Sequence, residues 1–511
     1  MTFAPDTEAP DTAAPATEAP ATAAPATAAL SASRAAPSTA QILARFRPII
    51  ARIAEGAVER ERERALPFAE VEWLREAGFG ALRVPRQHGG DGVSLHTLFA
   101  LLIELASADS NLPQLLRGHL GFVETQLGLD DSPTRTEWFR RIVSDRILFG
   151  NAQAERGPDT QTVVEERDGR WVIDGTKYYS TGTLFADWIW SSARRGDEPV
   201  ALAVPADAAG VTRVDDWDGF GQRLTGSGTT TFDAVEIDPR HIVSFIDGEP
   251  RPHSYVTGFY QLVLLAALSG IADAALRETA AFVRPRRRTF GIPGESSPRH
   301  DPLVQRVVGR VSALAFSARS NTLAAVGALE SADALEHADA LEHADALESA
   351  DALEHADALE RAAALESAAA IDTADAAGLD GESEHERYGE AVIRVFQAQQ
   401  IVIGQVLEAT TLLFEVGGAS ATSDRIRLDR LWRNARTIAS HNPAIHREQA
   451  LGDYVLNDVL PLAWHDRVAA GAPATTPQHT TPQHTTPQHT TPQHTTPQHT
   501  TSAGTDTRSN R

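Results

Sequence analysis

The sequence predicts an α+β protein, mainly α-helical, in which a small β domain separates two helical domains. Three observations support this prediction. Apolar residues recur at helical spacing between residues 41 and 127, and β-prone runs with turn signals occupy residues 147–245. Long amphipathic segments return from about Tyr255.

The N-terminal helical domain is predicted to span residues 38–146. Its apolar periodicity predicts four helices, at residues 41–64, Val71–Ala77, Leu95–Ala108 and Leu112–Leu127. A loop rich in Pro and Gly, residues 84–90, separates the second helix from the third.

The β domain is predicted to span residues 147–245. The Asp174-Gly175 pair lies between two β-prone runs and predicts a hairpin turn there, because a type I′ turn needs positive φ. Strict alternation along the returning strand would place Lys177, Tyr179 and Thr181 on one face, opposite Tyr178 and Ser180. Further strands are predicted at residues 201–204 and 229–237.

The C-terminal helical domain is predicted to span residues 246–465, with helices at residues 261–283, 303–329 and 388–416. An insert at residues 328–384 repeats a six-residue unit rich in Ala, Leu and Glu. Leucines spaced by six residues fall on different faces of a helix, which argues against a coiled coil. We expect a solvated, partly helical insert.

Both ends of the chain have low-complexity composition and are predicted to be disordered. Residues 1–37 are rich in Ala, Pro and Thr, and residues 466–511 contain Thr-Thr-Pro-Gln-His repeats. The net charge of −23 over 511 residues is concentrated in the insert, so the remaining chain offers no electrostatic case for binding nucleic acid.

The chain has no cysteine, which excludes disulfides and thiolate metal sites, and no metal site is predicted. It has no basic segment followed by an apolar leader, and its longest apolar run, Leu262–Leu268, is too short to cross a bilayer. We therefore expect a cytoplasmic protein that does not bind membranes.

Three polar clusters are candidates for chemistry. In residues 149–156, Asn151 and Gln153 could bind the edge of a heterocycle or simply form a turn. Residues 177–182 contain the only lysine, Lys177, and suit either a planar aromatic ligand or an ordinary half-buried strand. In residues 432–443, Pro443 forces a break between helices, where His441 could be a helix cap or a proton donor.

Around these clusters the chain resembles the acyl-CoA dehydrogenase superfamily. The matching segments are residues 84–90, 151–156, 174–182, 286–291 and the Gly417-Gly418 helix end. The resemblance covers nearly all of residues 40–327 and 385–462. It implies an N-terminal helical domain, a middle β-barrel and a C-terminal four-helix bundle, with a flavin between barrel and bundle and commonly a homotetrameric assembly.

One departure distinguishes the chain from true dehydrogenases, in which a glutamate abstracts the α-proton. Asn442 stands at that position, and an amide cannot act as that base. Residues 177–187, 216–223 and 432–443 instead resemble the flavin-monooxygenase branch, which includes dibenzothiophene monooxygenase and the sulfur-acquisition oxidoreductases.

That branch implies a two-component monooxygenase. A separate NADH-dependent flavin reductase supplies reduced FMN, and one oxygen atom of O2 passes through a C4a-hydroperoxyflavin to a soft nucleophile, either an organosulfur or a nitrogen compound. Two alternatives stay open: an FAD-dependent acyl-CoA dehydrogenase that oxidises an acyl thioester with a relocated base, and a non-catalytic scaffold on the same fold.

The resemblance also implies the site residues. It places contacts to FMN at Asn151, Ala152, Gln153, Ala154, Glu155, Arg156, Lys177, Tyr178, Tyr179, Ser180, Thr181, Arg288, Ala419, Ser420 and His441. The catalytic set within that list is His441, Thr181, Ser180 and Asn151, and the implied substrate pocket contains Gln114, Gly118 and His119. The dibenzothiophene branch has an arginine in place of Ser420, and a histidine and a tyrosine in place of Gln114 and Gly118. These departures weaken the case for an aromatic thiophene substrate.

Overall fold

Helices precede and follow a β-sheet along the chain, which confirms the predicted fold class. The computed structural model describes residues 37–156, 161–244, 253–287, 297–354 and 384–461. The predicted tails, apart from Pro37, and the predicted flavin contact Arg288 lie outside these residues. The predicted domain boundaries stay predictions.

The helices within residues 37–156 are well delimited by local signals. They are α1 (Thr39–Glu63), α2 (Phe68–Glu76), α3 (Leu95–Ala108), α4 (Asn111–Leu127) and α5 (Pro133–Arg140). Ser38 caps α1 in a capping box with Gln41, and Ser94 caps α3. Almost every residue of α3 and α4 is buried, so these two helices form the inner layer.

The central sheet has eight strands. They are β1 (Phe149–Ala152), β2 (Val163–Arg167), β3 (Arg170–Ser180), β4 (Trp188–Arg195), β5 (Glu198–Pro205), β6 (Val211–Val214), β7 (Gly228–Ile237) and β8 (Ile242–Ser244). The strand order is β6-β7-β3-β2-β4-β5-β8, and β1 pairs in parallel with β4. The backbone N–H of Asn151 on β1 donates to the carbonyl of Thr181 over 2.9 Å. Asn151 therefore lies next to the end of β3.

The predicted position of the hairpin turn is wrong. The turn that joins β2 to β3 is formed by Asp168 and Gly169, whose φ angles of 52° and 74° suit a type I′ turn. Asp174 and Gly175 lie inside β3 instead, where the register with β7 shifts between Ile173 and Gly175. This part of the sequence has two Asp-Gly pairs six residues apart, and the second pair lies at the irregularity in β3 and not in a turn.

The predicted alternation of side chains along the end of β3 is also wrong. Tyr179 has a φ of 55°, and the register with β7 shifts again between Lys177 and Ser180. Lys177 and Ser180 are therefore both buried, whereas Tyr179 is exposed. This irregularity turns Tyr179 outwards.

The helices that follow the sheet are long. They are α6 (His253–Val283), α7 (Pro302–Glu354), α8 (Glu384–Leu412), α9 (Asp429–Ala439) and α10 (Ala444–Asn457). Helix α7, predicted to end at residue 329, continues into the repeat because Ala, Leu and Glu are strong helix formers.

The main hydrophobic core joins the N-terminal and C-terminal helices. Phe99 of α3 packs edge-on against Phe259 of α6, with ring centroids 5.5 Å apart. Within the described residues, Tyr255–Val283 is long and apolar enough to cross a membrane by composition, yet 83% of its most apolar window is buried. This burial is typical of a core helix.

Candidate active site

A cavity of about 750 Å³ lies where the N-terminal helices, the sheet and the C-terminal helices meet. Its wall includes seven of the predicted site residues: Gln114, Asn151, Gln153, Ala154, Tyr179, Thr181 and His441. They come from α4, β1 and the residue pair after it, the end of β3, and the corner after α9. The structure thus brings together residues from all three polar clusters of the sequence.

The only lysine does not line this cavity. Lys177 is fully buried, where its Nζ forms an ion pair with Glu155 and donates to Ser192 Oγ over 3.2 Å. Burial lowers the pKa of Lys177, and the carboxylate of Glu155 opposes that shift. The ion pair ties the segment after β1 to β3, so Lys177 and Glu155 shape the site from inside the sheet.

The remaining predicted flavin contacts also lie off the cavity wall. Ala152 and Ser180 are buried, while the guanidinium of Arg156 stacks over the ring of Tyr178 at 4.0 Å. Ala419 and Ser420 are exposed in a short 3-10 turn, Gly418–Ser420.

Two of the three predicted substrate-pocket residues pack against neighbouring elements instead. A Cβ on Gly118 would lie 2.7 Å from Cβ of Asn151, so this glycine lets α4 approach β1 closely. His119 is completely buried, and its Nε2 donates to the carbonyl of Gly80 over 2.9 Å. Burial lowers the pKa of His119 to about 4, which keeps the ring neutral.

His441 lies at the corner between α9 and α10, with its ring open to the cavity. Its Nε2 lies 3.1 Å from Nη2 of Arg117, and its Nδ1 lies 3.3 Å from Oδ1 of Asn442. A guanidinium only donates, so Nε2 accepts and the ring proton is on Nδ1. The surrounding protein and the charge of Arg117 lower the pKa of His441 to about 3. The sequence left two interpretations of His441 open, a helix cap and a proton donor. With a pKa of about 3, His441 is not a proton donor with a pKa near neutrality in this arrangement.

A chain of hydroxyl groups runs along one side of the cavity. Thr225 Oγ1 donates to the carbonyl of Gln222 over 2.9 Å, so it accepts from Ser227 Oγ at 2.7 Å. Thr181 Oγ1 lies 2.8 Å from Ser227 Oγ and 3.2 Å from the carbonyl of Tyr179, and either of these can accept its single proton. This order leaves lone pairs of Thr181 available to a ligand.

Eleven further residues of the cavity wall are not among the site residues predicted from the sequence, although several lie in the segments 216–223 and 432–443 that resemble the monooxygenase branch. They are Arg117, Trp217, Asp218, Gly219, Phe220, Gln222, Thr225, Ser227, Thr437, Ile438 and Ser440. One signal could have identified Arg117, because it lies three residues after Gln114 and shares its face of α4. Most of the others belong to the loop between β6 and β7. Tertiary contacts place this loop next to α9, and a local sequence pattern does not show such contacts.

That loop is held in place from two sides. Arg64, after α1, donates to both carboxylate oxygens of Asp215 at 2.9 and 3.0 Å and to the carbonyl of Trp217. On α9, Asn434 Oδ1 accepts from the backbone N–H of Gln222 over 2.6 Å, and Arg433 donates to the carbonyl of Phe220. The loop is therefore a fixed part of the wall.

Several buried polar atoms of the cavity wall have no hydrogen-bond partner among the described residues. They are Oε1 of Gln114, Nε of Arg117, Oδ1 of Asn151 and Oε1 of Gln222. Buried polar groups are nearly always paired, so these atoms are suited to a ligand that both donates and accepts. The isoalloxazine ring of a flavin carries N–H donors and carbonyl acceptors along one edge, and the cavity volume lies in the range of cofactor pockets.

Comparison with known proteins identifies the family. The middle-domain model of acyl-CoA dehydrogenases matches residues 154–235. A probable FMNH2-dependent monooxygenase of Pseudomonas putida, SfnC, is 30% identical over 430 residues, which are 82% of this chain and 95% of that protein. The chain belongs to the FMNH2-dependent monooxygenase branch of the acyl-CoA dehydrogenase superfamily.

Further relatives of this monooxygenase agree. Dibenzothiophene monooxygenase of Rhodococcus qingshengii is 27% identical over 80% of this chain and 91% of that one. Among solved structures, methanesulfinate monooxygenase MsuC from Pseudomonas fluorescens matches with a TM-score of 0.67 at 26% identity, covering 82% of this chain and 98% of MsuC. FMN-bound TdsC from Paenibacillus sp. A11-2 matches with a TM-score of 0.66 at 25% identity, with the same coverage.

Asn442, which the sequence resemblance aligned with the base of dehydrogenases, has a structural role in this monooxygenase. Its Nδ2 donates to Oε1 of Gln261 on α6 over 2.8 Å, and its carbonyl accepts from Gln399 on α8. These two bonds fix the corner between α9 and α10, and so they orient the adjacent His441.

Proposed function

We propose that this monooxygenase is the oxygenase of a two-component system that oxidises an organosulfur compound. A separate NADH-dependent reductase supplies FMNH2, and one atom of O2 is added to the sulfur of the substrate. The other oxygen atom leaves as water, with two electrons and two protons from FMNH2, so the products are the oxygenated substrate, FMN and water. The names of two similar proteins, dibenzothiophene monooxygenase and methanesulfinate monooxygenase, support this class of substrate.

The observation that supports the proposal most is the set of unpaired acceptors in the cavity. The amide oxygens of Gln114, Asn151 and Gln222 are buried and lack partners among the described residues. Reduced flavin supplies the electrons that activate O2, and its ring N–H groups would pair with such oxygens. We assign Asn151, Gln153, Ala154, Tyr179 and Thr181 to the flavin-binding wall, because β1 and the end of β3 present them side by side.

Exclusion of water is the second requirement, since water favours loss of hydrogen peroxide before the substrate is oxidised. The aromatic side chains of Tyr179, Trp217 and Phe220 lie on the cavity wall, and Tyr179 packs edge-on against Trp217 at 5.9 Å. Tyr179 and Phe220 are more than half exposed, which suits residues that a bound ligand would cover.

His441 lines the same cavity as the flavin-binding wall, and we assign it a role in holding the reacting oxygen. Its Nδ1–H is turned towards Asn442 while Arg117 occupies Nε2, so a ligand that engages Arg117 would release Nε2. Thr181 accepts from the ligand rather than donating to it, in line with the order of the hydroxyl chain.

Binding of the cofactor can be tested without turnover. Anaerobic titration with FMNH2 and FAD should show preference for FMNH2, and Asn151→Ala should weaken FMNH2 binding about tenfold, the usual loss for a buried hydrogen bond to a ligand. Asn321→Ala, on α7 and outside the cavity, is the matched control. Tight binding of FAD together with bleaching of that flavin by an acyl-CoA would contradict the proposal and favour a dehydrogenase.

A further inference from the structure

Three arginines of the described residues are more than nine-tenths buried: Arg60, Arg117 and Arg430 are 8, 7 and 6% exposed. Arg60 forms ion pairs with Glu70 and Asp109, and Arg430 pairs with Glu278. Arg117 has no carboxylate partner anywhere in the described part of the chain. Its known contacts are the bond to His441 and a stacking contact with the ring of Tyr260 at 5.2 Å.

An uncompensated guanidinium is costly to bury, and burial lowers the pKa of Arg117. Neither of its two contacts carries a negative charge, since His441 is neutral and a tyrosine ring supplies only its π face. Among the residues that the structure describes, Nε of Arg117 has no hydrogen-bond partner either. Burial of the Arg117 guanidinium therefore lowers the stability of the folded protein relative to a neutral side chain at this position.

The surroundings of Arg117 favour an anionic ligand. Arg117 lines the cavity next to Gln114, which lies one turn earlier on α4 and is itself 5% exposed. The acidic residue among those lining the cavity is Asp218, which is exposed on the loop between β6 and β7. The buried part of the cavity is therefore positively charged and has hydrogen-bonding groups beside the charge.

We propose that Arg117 binds an oxyanion of the substrate, so that the substrate is an anionic organosulfur compound such as a sulfinate. This inference rests on the proposed function and names its substrate class. The phosphate of FMN presents the same oxyanion chemistry to a guanidinium, and the experiment separates the two sources.

The test is equilibrium binding to protein saturated with oxidised FMN, in which no turnover occurs. The ligands are two matched pairs, methanesulfinate with dimethyl sulfone and benzenesulfinate with methyl phenyl sulfone, in which only one member is charged. The proteins are wild type, Arg117→Gln, Arg117→Lys and the control Arg306→Gln, which removes an exposed arginine of α7. FMN and riboflavin are titrated into each protein separately.

The proposal expects Arg117→Gln to weaken sulfinate binding at least about tenfold, as for a lost charge-assisted pair, and to leave sulfone binding unchanged. Arg117→Lys should retain part of the affinity, and Arg306→Gln should retain all of it. The melting temperature of ligand-free Arg117→Gln should equal or exceed that of wild type, because an unpaired buried charge has been removed.

Three results would overturn the proposal. One is a loss of FMN affinity, but not of riboflavin affinity, in Arg117→Gln, which would assign Arg117 to the flavin phosphate. Another is a lower melting temperature with sulfinates and sulfones weakened alike, which would make the residue structural. The third is that the wild-type protein binds FMN but binds neither sulfinate. If the wild-type protein does not bind FMN at all, that result contradicts the proposed function instead.

Discussion

Arg117 and His441 are separated by 324 residues in the sequence and joined by a hydrogen bond of 3.1 Å in the cavity. The bond connects α4, in the N-terminal helical part, to the corner between α9 and α10, near the end of the described chain. Because the guanidinium donates, it fixes the ring of His441 in one tautomer and keeps the ring neutral. A ligand that engages Arg117 would compete for this contact with Nε2 of His441.

The variant His441→Ala should still bind FMN measurably, but a smaller fraction of the FMNH2 that it oxidises should lead to product. We propose that the ring holds the reacting oxygen, so without it more of the reduced flavin should be lost as hydrogen peroxide. The measurement is the ratio of product to hydrogen peroxide per FMNH2 consumed. His446→Ala, which removes an exposed histidine of α10, is the control, and an unchanged ratio in His441→Ala would remove His441 from the mechanism.

Lys177→Met should destabilise the protein by about 3–5 kcal/mol, because it leaves the carboxylate of Glu155 buried without its cation. The double variant Lys177→Met/Glu155→Gln should recover much of that loss, since it removes both charges. Chemical denaturation of the two variants and wild type measures the difference. If the single and the double variant are equally stable, the charges of Lys177 and Glu155 do not stabilise each other in the folded protein.

Gly118→Ala should lower the free energy of unfolding by about 1–2 kcal/mol. The new Cβ would lie 2.7 Å from Cβ of Asn151, and the cost of overpacking exceeds the gain of about 1 kcal/mol for alanine over glycine in a helix. Gly404→Ala is the matched control, because a Cβ at this exposed helical position meets nothing within 4 Å. It should raise stability by about 1 kcal/mol, and a similar gain at Gly118 would mean that α4 and β1 are not in close contact.

The free energy of unfolding should decrease at acidic pH because His119 is buried in its neutral form. Its pKa is lowered from 6.5 to about 4 by burial, so its contribution is fully present above pH 6.5 and is lost as the pH falls towards 4. The full difference corresponds to about 3 kcal/mol. The melting temperature of wild type should therefore drop between pH 7 and pH 4 by more than that of His119→Asn, and parallel curves would show that His119 does not titrate with unfolding.

The order of helices and strands could be predicted from periodicity because those signals are local. Helix α3 was predicted with its observed bounds, since Ser94 caps an apolar run that ends before Asp109. The hairpin turn was misplaced because Asp168-Gly169 and Asp174-Gly175 carry the same local signal, and pairing with β7 decides between a turn and a bulge.

The site could be predicted only where its residues cluster in the sequence. Asn151, Thr181 and His441 lie in short polar segments, and all three reach the cavity. The lone lysine indicated a special position but not its purpose, because its partner Ser192 is on another strand. Arg117 is surrounded in the sequence by helical residues, and nothing local indicates that it faces His441.

We propose that this protein transfers an oxygen atom from O2 to sulfur. The direct measurement supplies purified protein with FMNH2 from a flavin reductase, a sulfinate and ¹⁸O2, and follows the product by mass spectrometry. We expect a sulfonate two mass units heavier than the product formed in ¹⁶O2, dependent on both FMNH2 and the protein. A product without the label, or one formed equally well when the protein is omitted, would contradict it.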